Sequence, residues 1–158
     1  VEDPRFAQVR AYERHDFGVP ARRGLHQGPM HAPTPTSIPG GELISTAELS
    51  RMLSERQPML LIDVLGGTTT IPGAHIEPAL GQGGSFNDQV QHYLAAGLQR
   101  ATAGRTDVPI VYFCGGIQCW LSYNAALRTI ALGQTNVKWY RGGLEAWAGA
   151  GLQTVPRQ

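Results

Sequence analysis

The chain has 158 residues, 42% of them hydrophobic, enough for one domain with a substantial core and too few for two ordinary ones. Its 13 basic and 12 acidic residues leave a formal net charge of +1 at pH 7 and are spread along the chain, so nucleic acid and anionic lipid are not expected partners. No apolar run approaches the roughly 20 residues that span a bilayer, so no membrane association is expected.

Residues 1–42 read as an extended N-terminal arm. Much of the proline and glycine lies here, as in "VPARRGLHQGPMHAPTPTSIPGG", and neither helical nor strand periodicity is evident. Phe6, Val9, Tyr12 and Phe17 give the arm enough apolar surface to lie along the domain. His15, His26 and His31 are irregularly spaced with no cysteine nearby, so solvent-exposed histidines are expected in place of a metal site.

Residues 43–158 form the domain. A strand-like "ELI" leads into a Ser45-x-x-Glu48 capping box and an amphipathic helix with Leu49, Met52 and Leu53 on one side. "MLLIDV" is a continuous apolar run ending at Asp63, as expected of a strand buried on both faces. Pro72 and Gly73 mark a turn before a brief strand over 74–76. Phe86, Val90, Tyr93, Leu94 and Leu98 then recur at helical spacing behind Ser85, the expected N-cap. "PIVYF" reads as a buried strand, "LSYNAALRTIAL" as a helix closed by Gly133, "VKWY" as a strand and "GLEAWAGAG" as a last helix. Arg128, in the body of its helix, is expected to be exposed. Such alternation implies an α/β fold with a parallel sheet covered on both faces, and ligands in such sheets bind at the carboxyl ends of the strands.

Cys114 stands at such an end, and Cys119 closes the same turn, "CGGIQC". Two cysteines are too few for a disulfide scaffold, and no C-x-x-C pair suggests zinc. Gly115 and Gly116 permit a backbone in which amides of the turn, through Ile117 and Gln118 to Trp120 at the helix start, point inward as an anion-binding nest. Those amides and the helix N-terminus would favour a thiolate at Cys114, ionised near neutrality and exposed to a reactant. Cys119 either approaches Cys114 as a redox partner, which needs Cα atoms within about 7 Å, or packs as a small apolar residue. Arg141, after "VKWY", either supplies positive charge to the turn or is a solvated arginine. Asp63 either orients the cysteine turn or bonds its own neighbouring loop. Trp120 shields the turn or anchors its helix; Trp139 and Trp147 read as packing. His75 lies beside a different turn. No metal or organic cofactor is expected.

The segments "LLIDV", "IPGAHI", "PIVYFC" with its turn, and "VKWYRGGLEAWAGAGL", in that order, resemble those of the rhodanese-like domain family. The resemblance implies a parallel five-stranded sheet flanked by helices on both faces, and a cysteine, here Cys114, that accepts sulfane sulfur as a persulfide and passes it to a thiol or other nucleophile. "IDVL", "CGGIQCW", "SYNAALR" and the proline-rich arm further resemble exported rhodanese-like proteins with a C-x-x-C-W motif, associated with pyrroloquinoline quinone (PQQ)-dependent alcohol catabolism; here four residues separate the cysteines. That narrower resemblance implies a periplasmic protein whose signal peptide has been removed. Rhodanese turns that grip thiosulfate often carry arginine or lysine; this one has neither, so thiosulfate is expected to bind weakly. A phosphatase on the same fold would need arginine six positions after the cysteine, where Trp120 stands.

The expectation is therefore a monomeric sulfurtransferase-like protein in which Cys114 is the nucleophile and Cys119 resolves or modulates it. Gly115, Gly116, Ile117, Gln118, Trp120, Arg141 and Asp63 are the expected binding residues, and a small sulfur donor or thiol acceptor the expected partner. The alternatives are a dithiol–disulfide redox protein and a non-catalytic accessory that binds a periplasmic PQQ-dependent dehydrogenase.

Overall fold

The structure, a computed structural model, describes residues 3–157. Its main sheet has five parallel strands: β1 (Glu42–Leu43), β2 (Leu60–Asp63), β4 (His75–Ile76), β5 (Ile110–Phe113) and β6 (Val137–Tyr140), in the spatial order β1-β6-β5-β2-β4. β5 is central, with Tyr112 between Ile62 and Trp139 and Phe113 between Asp63 and Tyr140. All four of its residues are buried, which is why "PIVYF" reads as an unbroken apolar run.

Alternation along β5 divides the core into two layers. Ile110, Tyr112 and Cys114 face one side, where they meet residues of α3 (Gln89–Thr102) and α4 (Leu121–Ala131), among them Leu94, Leu98, Tyr123 and Ala126. Val111 and Phe113 face the other, against α1 (Pro4–Glu13), α2 (Thr46–Ser54) and α5 (Gly143–Gly149) through Val9, Leu49, Met52 and Trp147. This is the expected α/β architecture with helices on both faces. Ser45 caps α2 as its sequence suggests, accepting from the Glu48 amide at 3.1 Å.

Three expectations need correction. The arm is not extended at its start, because Pro4–Glu13 form a helix. Asp3 caps it and Pro4 opens it, a favourable first position since proline lacks only an amide that would be unpaired anyway; Val9 buries into the core. The N-cap of α3 is Asp88, which accepts from the Gln91 amide at 2.9 Å. Ser85 instead bonds Asn87, and Phe86 lies ahead of the helix, exposed. Arg128 is fully buried: its guanidinium donates to Gln82 O, Gly83 O, Ser85 O and the Asp88 carboxylate, joining α4 to the loop before α3. The structure also holds a two-stranded antiparallel ribbon, β3 (Thr69–Thr70) with β7 (Val155–Pro156).

Beyond α1 the arm is a strap tied across α4 and the cysteine turn. The Arg22 amide donates to Tyr123 Oη, and His26 exchanges bonds with the Asn124 side chain. His31 then pairs antiparallel with Cys119, flanked by Ala32 N to Gln118 O at 3.1 Å and Trp120 N to Met30 O at 2.9 Å. Thr34 Oγ1 donates to Ile117 O at 2.6 Å.

Candidate functional site

β5 delivers Cys114 to the carboxyl edge of the sheet, and the turn 115–120 returns the chain to α4. Cys114 and Cys119 are joined in a disulfide, with Cα atoms 6.3 Å apart, inside the reach such a bond requires. Cys119 therefore approaches its partner across the turn. Cys114 is 1% exposed and Cys119 8% exposed.

The expectation of an open, ionised Cys114 inside a ring of turn amides is not met. Three amides of the turn are taken by other groups: Ile117 N donates to Tyr12 Oη at 3.2 Å, Cys119 N to Gly116 O, and Trp120 N to Met30 O. The physical reason is that α1 and the strap press on the turn and supply acceptors of their own, and buried amides are paired wherever a partner is available. What reaches the Cys114 sulfur is the Cys119 carbonyl oxygen, 3.5 Å away, and the first turn of α4. Ser122 N lies 3.4 Å and Ser122 Oγ 3.1 Å from Cys114 Sγ, and Trp139 Nε1 donates to Ser122 Oγ at 2.8 Å.

On its other side the turn is fixed to α5. The carbonyls of Cys114 and Gly115 accept from the amides of Leu144 and Glu145 at 3.0 and 2.9 Å, satisfying donors that a helix start leaves unpaired. This close approach requires Gly143: its φ is +60°, and a Cβ there would overlap the Cys114 carbonyl oxygen. A Cβ at Gly116 would likewise overlap the Glu145 carboxylate and Tyr12 Oη. Those two groups are bonded to each other, Tyr12 donating to Glu145. Burial, reinforced by that bond, pushes the Tyr12 pKa up to about 12, so the phenol is a neutral donor at ordinary pH.

A cleft of about 220 Å³ opens beside the disulfide. Gly115, Gly116, Gln118 and Cys119 of the turn line it, with Met30 and His31 from the strap. Leu65, Leu121 and Glu145 complete the wall, and Cys114 does not line it. No lysine or arginine is among the lining residues.

The other expected site residues lie elsewhere. Ile117 is buried. Trp120 anchors its helix, with its ring stacked on His26 at 4.2 Å and edge-on to Tyr123; His26 is thus half-buried, contrary to expectation. Trp139 and Trp147 are packed in the core. Arg141 is 2% exposed, and its guanidinium holds the strap: it donates to Glu13 O at 2.9 Å, Thr34 O at 3.0 Å and Thr34 Oγ1 at 3.0 Å. Asp63 accepts from Leu65 N, Gly66 N and Thr70 Oγ1, within its own neighbouring loop. His75 is exposed at the edge strand β4, away from the turn. Sequence reasoning missed Ser122, Glu145, Tyr12, Met30 and His31. Ser122 had a readable signal, being a hydroxyl in the first turn of the helix behind the cysteines. The others are brought in by tertiary contacts that no local pattern records.

Comparison with known proteins agrees with this architecture. A family model described as "Rhodanese-like domain" matches residues 45–150. Among solved structures, a thiosulfate sulfurtransferase from Pseudomonas aeruginosa is 20% identical with a TM-score of 0.52, the match covering 75% of this chain and 21% of that one; the chain thus spans about a fifth of that protein. A protein from Bacillus halodurans is 20% identical with a TM-score of 0.54, covering 72% of this chain and 76% of its own. The Alr3790 protein from Anabaena sp. is 19% identical with a TM-score of 0.50, covering 70% and 88%. At such identities the likeness is one of fold. No curated protein matches the chain.

Proposed function

Since the chain belongs to the rhodanese-like domain family, we propose that it is a sulfurtransferase-like protein that carries sulfane sulfur on the Cys114–Cys119 pair. In the reduced form one thiolate attacks the terminal sulfur of a persulfide donor R–S–SH. A new S–S bond forms on the protein, the donor's S–S bond breaks, and R–S⁻ leaves. An external nucleophile can then take the outer sulfur. In its absence the second cysteine attacks the inner sulfur, hydrosulfide departs, and the two protein sulfurs remain as a disulfide, having given two electrons to the sulfane sulfur. An external thiol reductant returns the pair to its starting state.

The observation that carries the reading is that both sulfurs meet at the carboxyl end of the central strand, bonded to each other, with a small cleft opening beside one of them. Ligands of parallel α/β sheets bind at that edge. The test is the intact mass of the reduced chain after exposure to a persulfide donor. At least one single cysteine-to-serine variant retains one added sulfur on its remaining thiol if the reading holds, and absence of added sulfur in both variants refutes it.

The disulfide itself favours a second reading, a dithiol–disulfide protein that exchanges electrons with a partner's thiols. That reading predicts thiol–disulfide turnover without any sulfur gain. Either chemistry suits an oxidising compartment, where such bonds persist, and the periplasmic, PQQ-associated setting implied by the narrower resemblance belongs to the proposal on that ground. A dehydrogenase partner would meet the protein at the cleft and the strap. A purely non-catalytic accessory would keep its binding after both cysteines are replaced.

A further inference from the structure

We propose that Cys119 is the sulfur through which reactants enter and leave, and that Cys114 is its buried partner, held as a thiolate by a relay from Trp139 through Ser122. This rests on the reading of the pair as the working chemistry, and it reverses the roles expected from sequence.

Access distinguishes the two cysteine residues. Cys119 lines the cleft and Cys114 does not, and the exposures of 8% and 1% run the same way. Exchange requires a thiolate to touch the sulfur it attacks, so the cleft directs attack to Cys119 Sγ. The bond from the incoming sulfur to Cys119 forms, the Cys114–Cys119 bond breaks, and its electron pair leaves on Cys114 Sγ. With hydrosulfide as the incoming group the product is a Cys119 persulfide. With an organic thiolate it is a mixed disulfide on Cys119. In the reverse sense a persulfide loaded on Cys119 is opened by the Cys114 thiolate, which attacks Cys119 Sγ and expels hydrosulfide.

The surroundings of Cys114 fit a leaving group. An indole N–H can only donate, so Ser122 Oγ must accept from Trp139 at 2.8 Å. The hydroxyl proton is then free to point at the sulfur 3.1 Å away. Ser122 N–H, 3.4 Å from the same sulfur, lies in the first turn of the 11-residue α4, where the helix dipole favours negative charge. Two donors and a helix start thus converge on a buried sulfur that would otherwise be costly to ionise. Trp139 and Tyr123 are themselves packed edge to face at 5.1 Å, which fixes the indole. Ser122 and Trp139 are positioning residues that act through Cys114.

The test begins with the oxidised wild-type chain. Excess 2-mercaptoethanol is added briefly, exchange is stopped with acid, free thiols are alkylated, and the peptides are mapped by mass. The expected species carries mercaptoethanol on Cys119 and the alkyl group on Cys114; adduct predominantly on Cys114 overturns the assignment. The relay is read separately in the Cys119→Ser background, where thiolate absorbance titrates Cys114 alone. A hydrogen bond to a charged group is worth enough that Ser122→Ala should raise the Cys114 pKa by about one unit. Trp139→Phe should move it in the same direction. No shift in Ser122→Ala, with folding intact by circular dichroism, overturns the relay. Sulfur gain by the single cysteine-to-serine variants, which have no second thiol to expel hydrosulfide, reports on the proposed function independently. If gain fails while the adduct sits on Cys119, the sulfurtransferase reading falls and the role assignment stands. If gain succeeds with adduct on Cys114, the reverse holds.

Discussion

Replacing Arg141 with methionine separates two roles for that residue, a ligand for an anionic substrate and a clasp for the strap. The guanidinium is buried and makes three hydrogen bonds, two to the carbonyls of Glu13 and Thr34 and one to Thr34 Oγ1. Methionine keeps most of the volume and none of the donors. Charged hydrogen bonds contribute roughly 1.5–3 kcal/mol each, but the full sum is not lost, because the strap can lift locally and let water satisfy the freed carbonyls. The cost of opening the strap should therefore fall by about 2–3 kcal/mol, a factor of about 30–150 in the opening equilibrium. Hydrogen exchange reads this directly at the amides of Ala32 and Trp120, which pair the strap with the turn. Their protection should drop by that factor while amides of the central β5 change much less. If protection at those two amides is unchanged and only the reaction with an anionic sulfur donor slows, Arg141 is a ligand and the clasp is wrong.

Other consequences can be checked alongside. Arg128→Met leaves three loop carbonyls and Asp88 without their buried donor and should destabilise the fold to urea by about 3 kcal/mol. The hydrogen bond from Arg128 holds the Asp88 carboxyl well below its usual range, so wild type gains stability as pH rises through the ordinary carboxylate range near 4, and the variant should lose part of that gain. Tyr12, raised to about 12, keeps in the folded state a proton that the unfolded chain releases near 10. Stability should thus fall as pH climbs from about 10 to 12, with a shallower fall in Tyr12→Phe. Gly143→Ala, which forces a Cβ onto the Cys114 carbonyl at positive φ, should cost more than about 2 kcal/mol in a denaturation titration. The cleft carries Glu145 and no lysine or arginine, so cysteamine should open the disulfide faster than mercaptoethanesulfonate, and Glu145→Gln should narrow the gap.

The sheet was legible because its strands speak for themselves. "LLID" and "IVYF" are buried on both faces by helices on either side, and a strand in that position has to be apolar throughout. The Ser45 cap and the glycine after α4 were equally local. Helix α1 was hidden: it has Pro4 at its first turn and only Val9 buried, so its weak amphipathic pattern gave no period, and it is stabilised by α5 and α2. Arg128 read as a solvated cation, and Arg141 as either a source of charge for the turn or a solvated cation, because their acceptors are mostly main-chain carbonyls, which sequence does not reveal. The cysteine turn was recognisable as the chemical centre from two glycines, two cysteines and a helix start. The direction of its amides was not, since the strap and Tyr12 arrive from about a hundred residues away.

The reduced wild-type chain, mixed with one equivalent of a small persulfide in the absence of other thiols, offers the most direct measurement. Hydrosulfide released and protein thiols lost are counted in the same sample. The account predicts one hydrosulfide for each pair of thiols that becomes the Cys114–Cys119 disulfide. Hydrosulfide release that is equally fast in the Cys114→Ser, Cys119→Ser double variant, or thiols that remain free while none is released, would contradict it.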